Sequence, residues 1–137
     1  MKSQLRQDLV SGDWIVVSPS RAKRPHQLIK KAGCPFEQLQ KNGRRKPILI
    51  YGAEKDWQLQ VAENKYPAFI HKNQCAPFLK SGPYSVTEGI GHHDLVITRN
   101  HHKNFPALSK KDANQVFAAF RDRYLMLLND PCLSYIA

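Results

Sequence analysis

The sequence predicts an α+β fold, in which several short strands are followed by one long helix. Short runs of β-branched and aromatic residues alternate with glycine- and proline-containing turns, and a later stretch shows helical periodicity. With 137 residues, of which 42% are hydrophobic, the chain can bury a core, which excludes a wholly disordered protein. No apolar run approaches the roughly 20 residues of a membrane span, so we expect no membrane association.

Five segments have the composition of strands and are bounded by turn residues. They cover residues 14–17, 48–51, 57–61, 84–86 and 94–98. The third alternates strictly between apolar residues and glutamine. This pattern predicts that Trp57, Leu59 and Val61 face a core, while Gln58 and Gln60 face water.

One helix is predicted over residues 110–128, after a long basic loop over residues 18–46. Ser109 is a natural N-cap, apolar residues recur on one face, and Pro131 ends the helix. Residues 133–137 have the composition of a strand that is only beginning. We therefore expect a single incomplete domain over residues 1–137, truncated before its last strand.

Positive charge is concentrated near the N-terminus. Residues 1–50 contain 11 Lys and Arg against 3 Asp and Glu, a net charge of +8, whereas residues 51–137 contain 10 against 8, a net charge of +2. This asymmetry predicts an anionic partner, either nucleic acid or a phosphorylated small molecule, unless the surface is only solvated. Arg21 and Arg24 are candidates for a phosphate clamp, because guanidinium groups bind phosphate oxygens in pairs.

Two groups of residues could bind a metal. Cys34 and Glu37 are three positions apart, and a thiolate and a carboxylate joined by imidazole could hold zinc. Four of the six histidines lie between residues 92 and 102, where metal binding, phosphate contacts and solvent exposure are all compatible with their spacing. Three widely spaced cysteines do not suggest a disulfide framework, so we expect reduced thiols in a cytoplasmic protein.

Five motifs, in order along nearly the whole chain, resemble the galactose-1-phosphate uridylyltransferase family. They are the N-terminal stretch that includes Gly12-Asp13-Trp14 and Arg21-Ala22-Lys23-Arg24-Pro25, then Cys34-Pro35-Phe36-Glu37, Asn64-Lys65-Tyr66-Pro67-Ala68, Gly89-x-Gly91-x-His93-Asp94 and the following His101. The resemblance implies a histidine-triad-like fold, in which an antiparallel half-barrel sheet is packed by a helix.

The resemblance also implies a nucleotidyltransferase. Such an enzyme transfers UMP, or AMP, between a nucleotide sugar such as UDP-glucose and a hexose 1-phosphate, through a nucleotidyl-histidine. Carried over by position, Arg21 and Arg24 would contact phosphates and Asn64 would lie near the base or ribose. Cys34, His101 and, in place of a second cysteine, Glu37 would bind zinc. A homodimer of the full-length enzyme is compatible with this interpretation.

The sequence departs from the family at the catalytic nucleophile, which changes the expected activity. The family's nucleophile lies in a His-Pro-His-x-Gln motif, which this sequence lacks. No residue of this chain is therefore assigned a catalytic role, and we expect the chain alone to be inactive. The alternative is a non-catalytic basic module that binds nucleotides or nucleic acid. Only Trp14 and Phe36 supply aromatic rings within the basic residues 1–50, which disfavours nucleic acid.

Overall fold

The computed structural model describes residues 2–22, 36, 46–100 and 102–137. The chain forms two compact units, each assembled from two stretches. Unit 1 comprises Met1–Lys30 and Tyr66–His93, and unit 2 comprises Lys31–Lys65 and Asp94–Ala137. None of the described helices has the length and apolar character that crossing a bilayer requires.

Unit 1 contains a four-stranded antiparallel sheet. Its strands are β1 (Gln4–Gln7), β2 (Trp14–Val17), β5 (Phe78–Ser81) and β6 (Tyr84–Glu88), in the order β2-β1-β6-β5. The β1–β2 turn is closed by the Asp8 carboxylate, which accepts the backbone N–H groups of Val10 and Ser11 at 2.8 Å each. These backbone hydrogen bonds lower the pKa of Asp8.

Unit 2 consists of a three-stranded antiparallel sheet and one helix. The strands β3 (Leu49–Ala53), β4 (Asp56–Glu63) and β7 (Asp94–Thr98) lie in the order β3-β4-β7, and the helix α1 spans Lys110–Leu127. Ser109 caps the helix, since its hydroxyl accepts the backbone N–H of Asp112 at 3.1 Å. The predicted helix is therefore confirmed, and its N-cap is the predicted residue.

The core of unit 2 lies between the sheet and the helix. Leu59 and Val61 are completely buried and pack with Val116 and Ala119 of α1. A second apolar cluster contains Trp57, Ala62 and Ile97, with Phe36 packed against it. The predicted burial of Trp57, Leu59 and Val61 is confirmed, although Trp57 belongs to the second cluster.

A β-bulge explains why Trp57 and Leu59 belong to different clusters. Tyr51 pairs with Leu59, but Gly52 pairs with Trp57, so Gln58 is an extra residue in β4. The insertion reverses the alternation of side chains between the two faces. The predicted exposure of Gln60 is wrong, because this side chain is only 4% exposed.

The α+β class predicted from the sequence is confirmed. The sheet of unit 1 also contains β1 and β5, which the sequence patterns did not identify. The strand expected from residue 133 is absent. Residues 131–134 instead form turns and bends, with the Leu133 N–H bonded to the Asp130 carbonyl at 3.2 Å, and no strand follows them. Of the loop over residues 18–46, the structure describes residues 18–22, 36 and 46.

The expectation of reduced thiols is wrong for two of the three cysteines. Cys75 in unit 1 is disulfide-bonded, and so is Cys132 in unit 2. Cys34 lies outside the described residues. A count of three cysteines does not predict disulfides, because the bond depends on which cysteines the fold brings within reach.

Candidate phosphate-binding site

The candidate site residues predicted from the sequence divide into two groups. Arg24, Cys34, Glu37 and His101 lie outside the described residues. Zinc binding by the last three therefore remains a prediction. Arg21 lies in unit 1 and Asn64 lies in unit 2, so the structure describes the surroundings of each within its own unit.

Arg21 ends a short 3-10 turn that begins at Pro19, and Ser18 separates this turn from β2. The backbone N–H of Arg21 donates to the carbonyl of Ser18 at 3.0 Å, which closes the turn. The hydroxyl of Ser18 in turn accepts a hydrogen bond from Ser3 at 2.8 Å. Because Pro19 also fixes its own φ angle, the backbone that carries Arg21 is held in one conformation.

The side chain of Arg21 contacts His93. Its Nη1 lies 3.4 Å from His93 Nδ1, and the backbone N–H of Ala68 donates to the same nitrogen at 2.9 Å. A backbone N–H can only donate, so Nδ1 of His93 must be the unprotonated nitrogen. This hydrogen bond assigns His93 as a neutral ring with its proton on Nε2.

These contacts unite three of the motifs found in the sequence. Arg21 comes from the basic motif, Ala68 from Asn-Lys-Tyr-Pro-Ala, and His93 from the glycine- and histidine-containing motif. All three belong to unit 1. The motifs predict a phosphate-binding role for Arg21 but no individual role for His93. Only the three-dimensional pairing shows that His93 is the neighbour of Arg21.

The arrangement suits the binding of a phosphate group. A guanidinium carries five N–H donors, and the His93 contact requires only one of them. A neutral imidazole beside it adds no positive charge that would repel the guanidinium. Arg21 is half-buried, which reduces the solvent screening of its charge.

Asn64 follows the last residue of β4 in unit 2. Glu63 of β4 pairs with Asp94 at the start of β7, so Asn64 lies at that end of the sheet. Asp94 accepts a hydrogen bond from Arg123 Nε at 2.8 Å, and their side chains are 13% and 15% exposed. The sequence does not single out Arg123, because nothing in the periodicity of a helix distinguishes a buried ion-pair partner from a solvated arginine.

The histidine cluster predicted from the sequence has an additional member. His92 stacks on His71, with ring centroids 4.5 Å apart. Their ring nitrogens are close enough to offer two ligands to one metal ion. His71 lies outside the stretch that drew attention in the sequence. The density of histidines along the chain therefore indicated His92 but not His71.

Comparison with known proteins identifies two relatives. An ADP-glucose phosphorylase from Arabidopsis thaliana is 27% identical over 148 residues, and the match covers 97% of this chain and 41% of the relative. A galactose-1-phosphate uridylyltransferase from Thermotoga maritima is 25% identical over 136 residues, with coverage of 97% and 39%. The resemblance to the uridylyltransferase family is confirmed.

The similarity covers only part of each relative. The chain spans about two-fifths of the length of these curated relatives. No protein-family model matches the sequence, and no solved structure matches the chain. Both relatives are enzymes by name, a phosphorylase and a uridylyltransferase.

Proposed function

We propose that this chain is the nucleotide-binding part of a nucleotidyltransferase of the galactose-1-phosphate uridylyltransferase type, and that Arg21 contacts a phosphate of the substrate. The observation that carries the proposal is the contact of Arg21 with His93, since it joins two of the motifs that resemble the family. The names of both relatives are consistent with substrates that contain phosphate.

The reaction would transfer UMP or AMP between a nucleotide sugar and a hexose 1-phosphate. A histidine attacks the α-phosphorus and forms a P–N bond while the hexose 1-phosphate leaves, and a second sugar phosphate then accepts the nucleotidyl group. The required His-Pro-His-x-Gln motif is absent from this sequence. The chain would therefore bind the nucleotide, and a nucleophile from outside this sequence would react with it.

Each remaining site residue has a role within this proposal. Arg24 joins Arg21 in neutralising phosphate oxygens, and Asn64 contacts the base or ribose. Cys34, Glu37 and His101 would hold a structural zinc ion. The half-barrel form of the sheet and a homodimer of the full-length enzyme belong to the same proposal.

Arg21 supplies charge where the reaction needs it. Negative charge shifts among the phosphate oxygens as the P–N bond forms, and a fixed guanidinium stabilises that charge without reorganising. The 3-10 turn and the contact with His93 reduce the side-chain entropy that Arg21 would lose on binding.

Binding of UDP-glucose and ADP-glucose, measured by calorimetry, tests the proposal. Arg21→Ala should weaken binding by about 10- to 150-fold, which corresponds to the loss of one charge-assisted contact. Arg6→Ala is the matched control, because Arg6 is an exposed arginine of the same unit that bonds to Gln4. It should change the affinity less than about threefold.

The same experiment distinguishes the alternative of a basic nucleic-acid-binding module. In that case Arg6→Ala and Arg21→Ala would weaken binding to a single-stranded oligonucleotide by similar amounts, and added salt would weaken it further. Equal, small effects of both substitutions on nucleotide-sugar binding would contradict the phosphate-contact role of Arg21.

A further inference from the structure

A backbone contact in unit 1 brings two histidines together. Ile70 and Ile90 form an isolated parallel β-bridge, and the backbone N–H of Gly91 donates to the carbonyl of Ile70 at 3.3 Å. His71 follows the first bridging residue directly, and His92 follows the second after one residue. The bridge therefore sets the two imidazoles beside each other although 21 positions separate them in the sequence.

The two rings form a close pair. Their centroids are 4.5 Å apart with an interplanar angle of 21°, and each ring has a nitrogen within 4.8 Å of one in the other. His71 is exposed and His92 is half-buried. An incoming ion can thus reach the pair from solvent, and small rotations about the side-chain torsions bring both nitrogens to coordination distance.

The lysine beside the pair is held in an ion pair. Lys72, the residue after His71, forms an ion pair with the carboxylate of Glu88, and Lys2 lies 3.5 Å from the same oxygen. The hydrogen bond from Lys72 is the main cause that lowers the pKa of Glu88, so this group stays ionised. The ammonium next to His71 is therefore neutralised locally, which reduces its repulsion of a bound cation.

We propose that His71 and His92 form a two-imidazole site for a divalent transition-metal ion of the class that prefers nitrogen ligands, with Zn²⁺ as the test ion. Imidazole suits zinc, copper and nickel, whereas magnesium and calcium prefer oxygen ligands. With two imidazole ligands from unit 1, the site is weaker than a structural site with four protein ligands.

This site is separate from the zinc site that the family resemblance implies. That site would use Cys34, Glu37 and His101, and shares no residue with the pair of His71 and His92. The proposal also stands independently of nucleotidyl transfer, because it rests on the geometry of unit 1 alone.

Calorimetric titration of the protein with Zn²⁺, after dialysis against a chelator, tests the proposal. His71→Ala and His92→Ala should each weaken this binding by about tenfold or more, since even the loss of a group that supports a ligand costs about 10- to 100-fold. His102→Ala is the matched control, because it removes an exposed histidine of unit 2. Cys34→Ser would remove a ligand of the zinc site that the resemblance implies. Both of these variants should retain the binding that His71→Ala weakens.

A second measurement keeps the test valid if a variant does not fold. In the wild-type protein, Zn²⁺ should shift the imidazole nitrogen resonances of His71 and His92 in NMR spectra. The proposal is overturned if these resonances do not respond or if no Zn²⁺ binds. It is equally overturned if Cys34→Ser alone abolishes all binding.

Discussion

The two units differ in what holds them together. Unit 2 has an apolar core in which Leu59 and Val61 are completely buried. Among the described residues of unit 1, only Ala68 and Thr87 have buried side chains, and the hydroxyl of Thr87 donates to the carbonyl of Pro77 at 3.1 Å. Unit 1 therefore depends on its backbone ladder and on polar contacts such as the one between Ser3 and Ser18.

The ligand-binding candidates whose mutual contacts the structure describes lie on the unit with the smaller core. Arg21, His93, His71 and His92 all belong to unit 1. Side chains that bind a ligand must stay accessible and retain polar contacts, and both requirements limit how much apolar surface surrounds them. Unit 2 is therefore a framework stabilised by burial of apolar side chains, whereas unit 1 presents polar groups that are held by hydrogen bonds.

The largest expected effect concerns reactivity. If unit 1 only binds, incubation of this chain with a nucleotide sugar that is radiolabelled in the α-phosphate should leave the protein unlabelled. The reason is that the His-Pro-His-x-Gln motif is absent. Acid-labile labelling of any histidine would contradict this prediction, and only labelling of a histidine in unit 1 would make that unit a reactive site. A full-length relative that carries the motif serves as the positive control.

The same Leu→Ala substitution should destabilise unit 2 much more than unit 1. Leu59→Ala should lower the free energy of unfolding by about 2–5 kcal/mol, because it leaves a cavity in a fully buried site. Leu79→Ala removes the same atoms from a side chain of unit 1 that is 60% exposed, so its effect should stay within about 0.5 kcal/mol.

The two tryptophans allow this measurement to be assigned to a unit. Trp57 is buried in unit 2 and Trp14 is exposed in unit 1. In a Trp14→Phe background, urea unfolding followed by fluorescence reports on unit 2 and measures Leu59→Ala. In a Trp57→Phe background, the same measurement reports on unit 1 and measures Leu79→Ala. Equal losses for Leu59→Ala and Leu79→Ala would show that the difference in burial does not translate into stability.

A glycine of β3 beside the β-bulge gives an intermediate expected effect. Gly52 has a φ angle of +96°, and a Cβ atom there would lie 2.8 Å from the carbonyl oxygen of Asp56. Gly52→Ala should therefore cost about 1–3 kcal/mol, from backbone strain and from the clash. In unit 1, Gly12 has a φ angle of +78° with open space around it, so Gly12→Ala meets only the strain. Thermal unfolding should rank Gly52→Ala as the more destabilising substitution.

The sequence predicted the framework better than it predicted the site. Periodicity located Leu59, Val61 and α1, because these features depend on residues close together in the chain. The burial of Gln60 could not be predicted, since it depends on the bulge and on apolar packing over both faces of the sheet. Strand β1, with the sequence Gln-Leu-Arg-Gln, has no strand composition and is defined by its pairing with β2 and β6.

For the candidate site, the sequence identified residues but not their contacts. Arg21 was found through its motif, whereas His93 became its partner only in the folded unit. His71 has no local signal, because the Ile70–Ile90 bridge that brings it to His92 is a long-range contact. The motifs identify candidate residues, and the structure shows the hydrogen bonds between distant segments that bring them together.

The smallest expected effect is a loss of stability of unit 2 at alkaline pH. The hydroxyl of Tyr51 donates to Asp122 Oδ2 at 2.5 Å. Burial, followed by this hydrogen bond and the charge of Asp122, raises the pKa of Tyr51 to about 12. Unfolded tyrosine has a pKa of about 10, so the unfolded chain loses this proton first as the pH rises. The contribution of Tyr51 to stability is thus complete below about pH 10 and is lost as the pH rises towards 12.

Tyr51→Phe should remove this dependence at little cost near neutral pH. The hydroxyl lies near the surface, so the loss should be about 1 kcal/mol or less. Urea unfolding of unit 2, followed by Trp57 fluorescence at pH 8 and at pH 11, should give a smaller difference between the two pH values for Tyr51→Phe than for wild type. Tyr135→Phe, which alters a side chain that is 80% exposed, should behave as wild type. If the stability of Tyr51→Phe decreases at pH 11 as much as that of wild type, the hydrogen bond between Tyr51 and Asp122 is not the cause of the pH dependence.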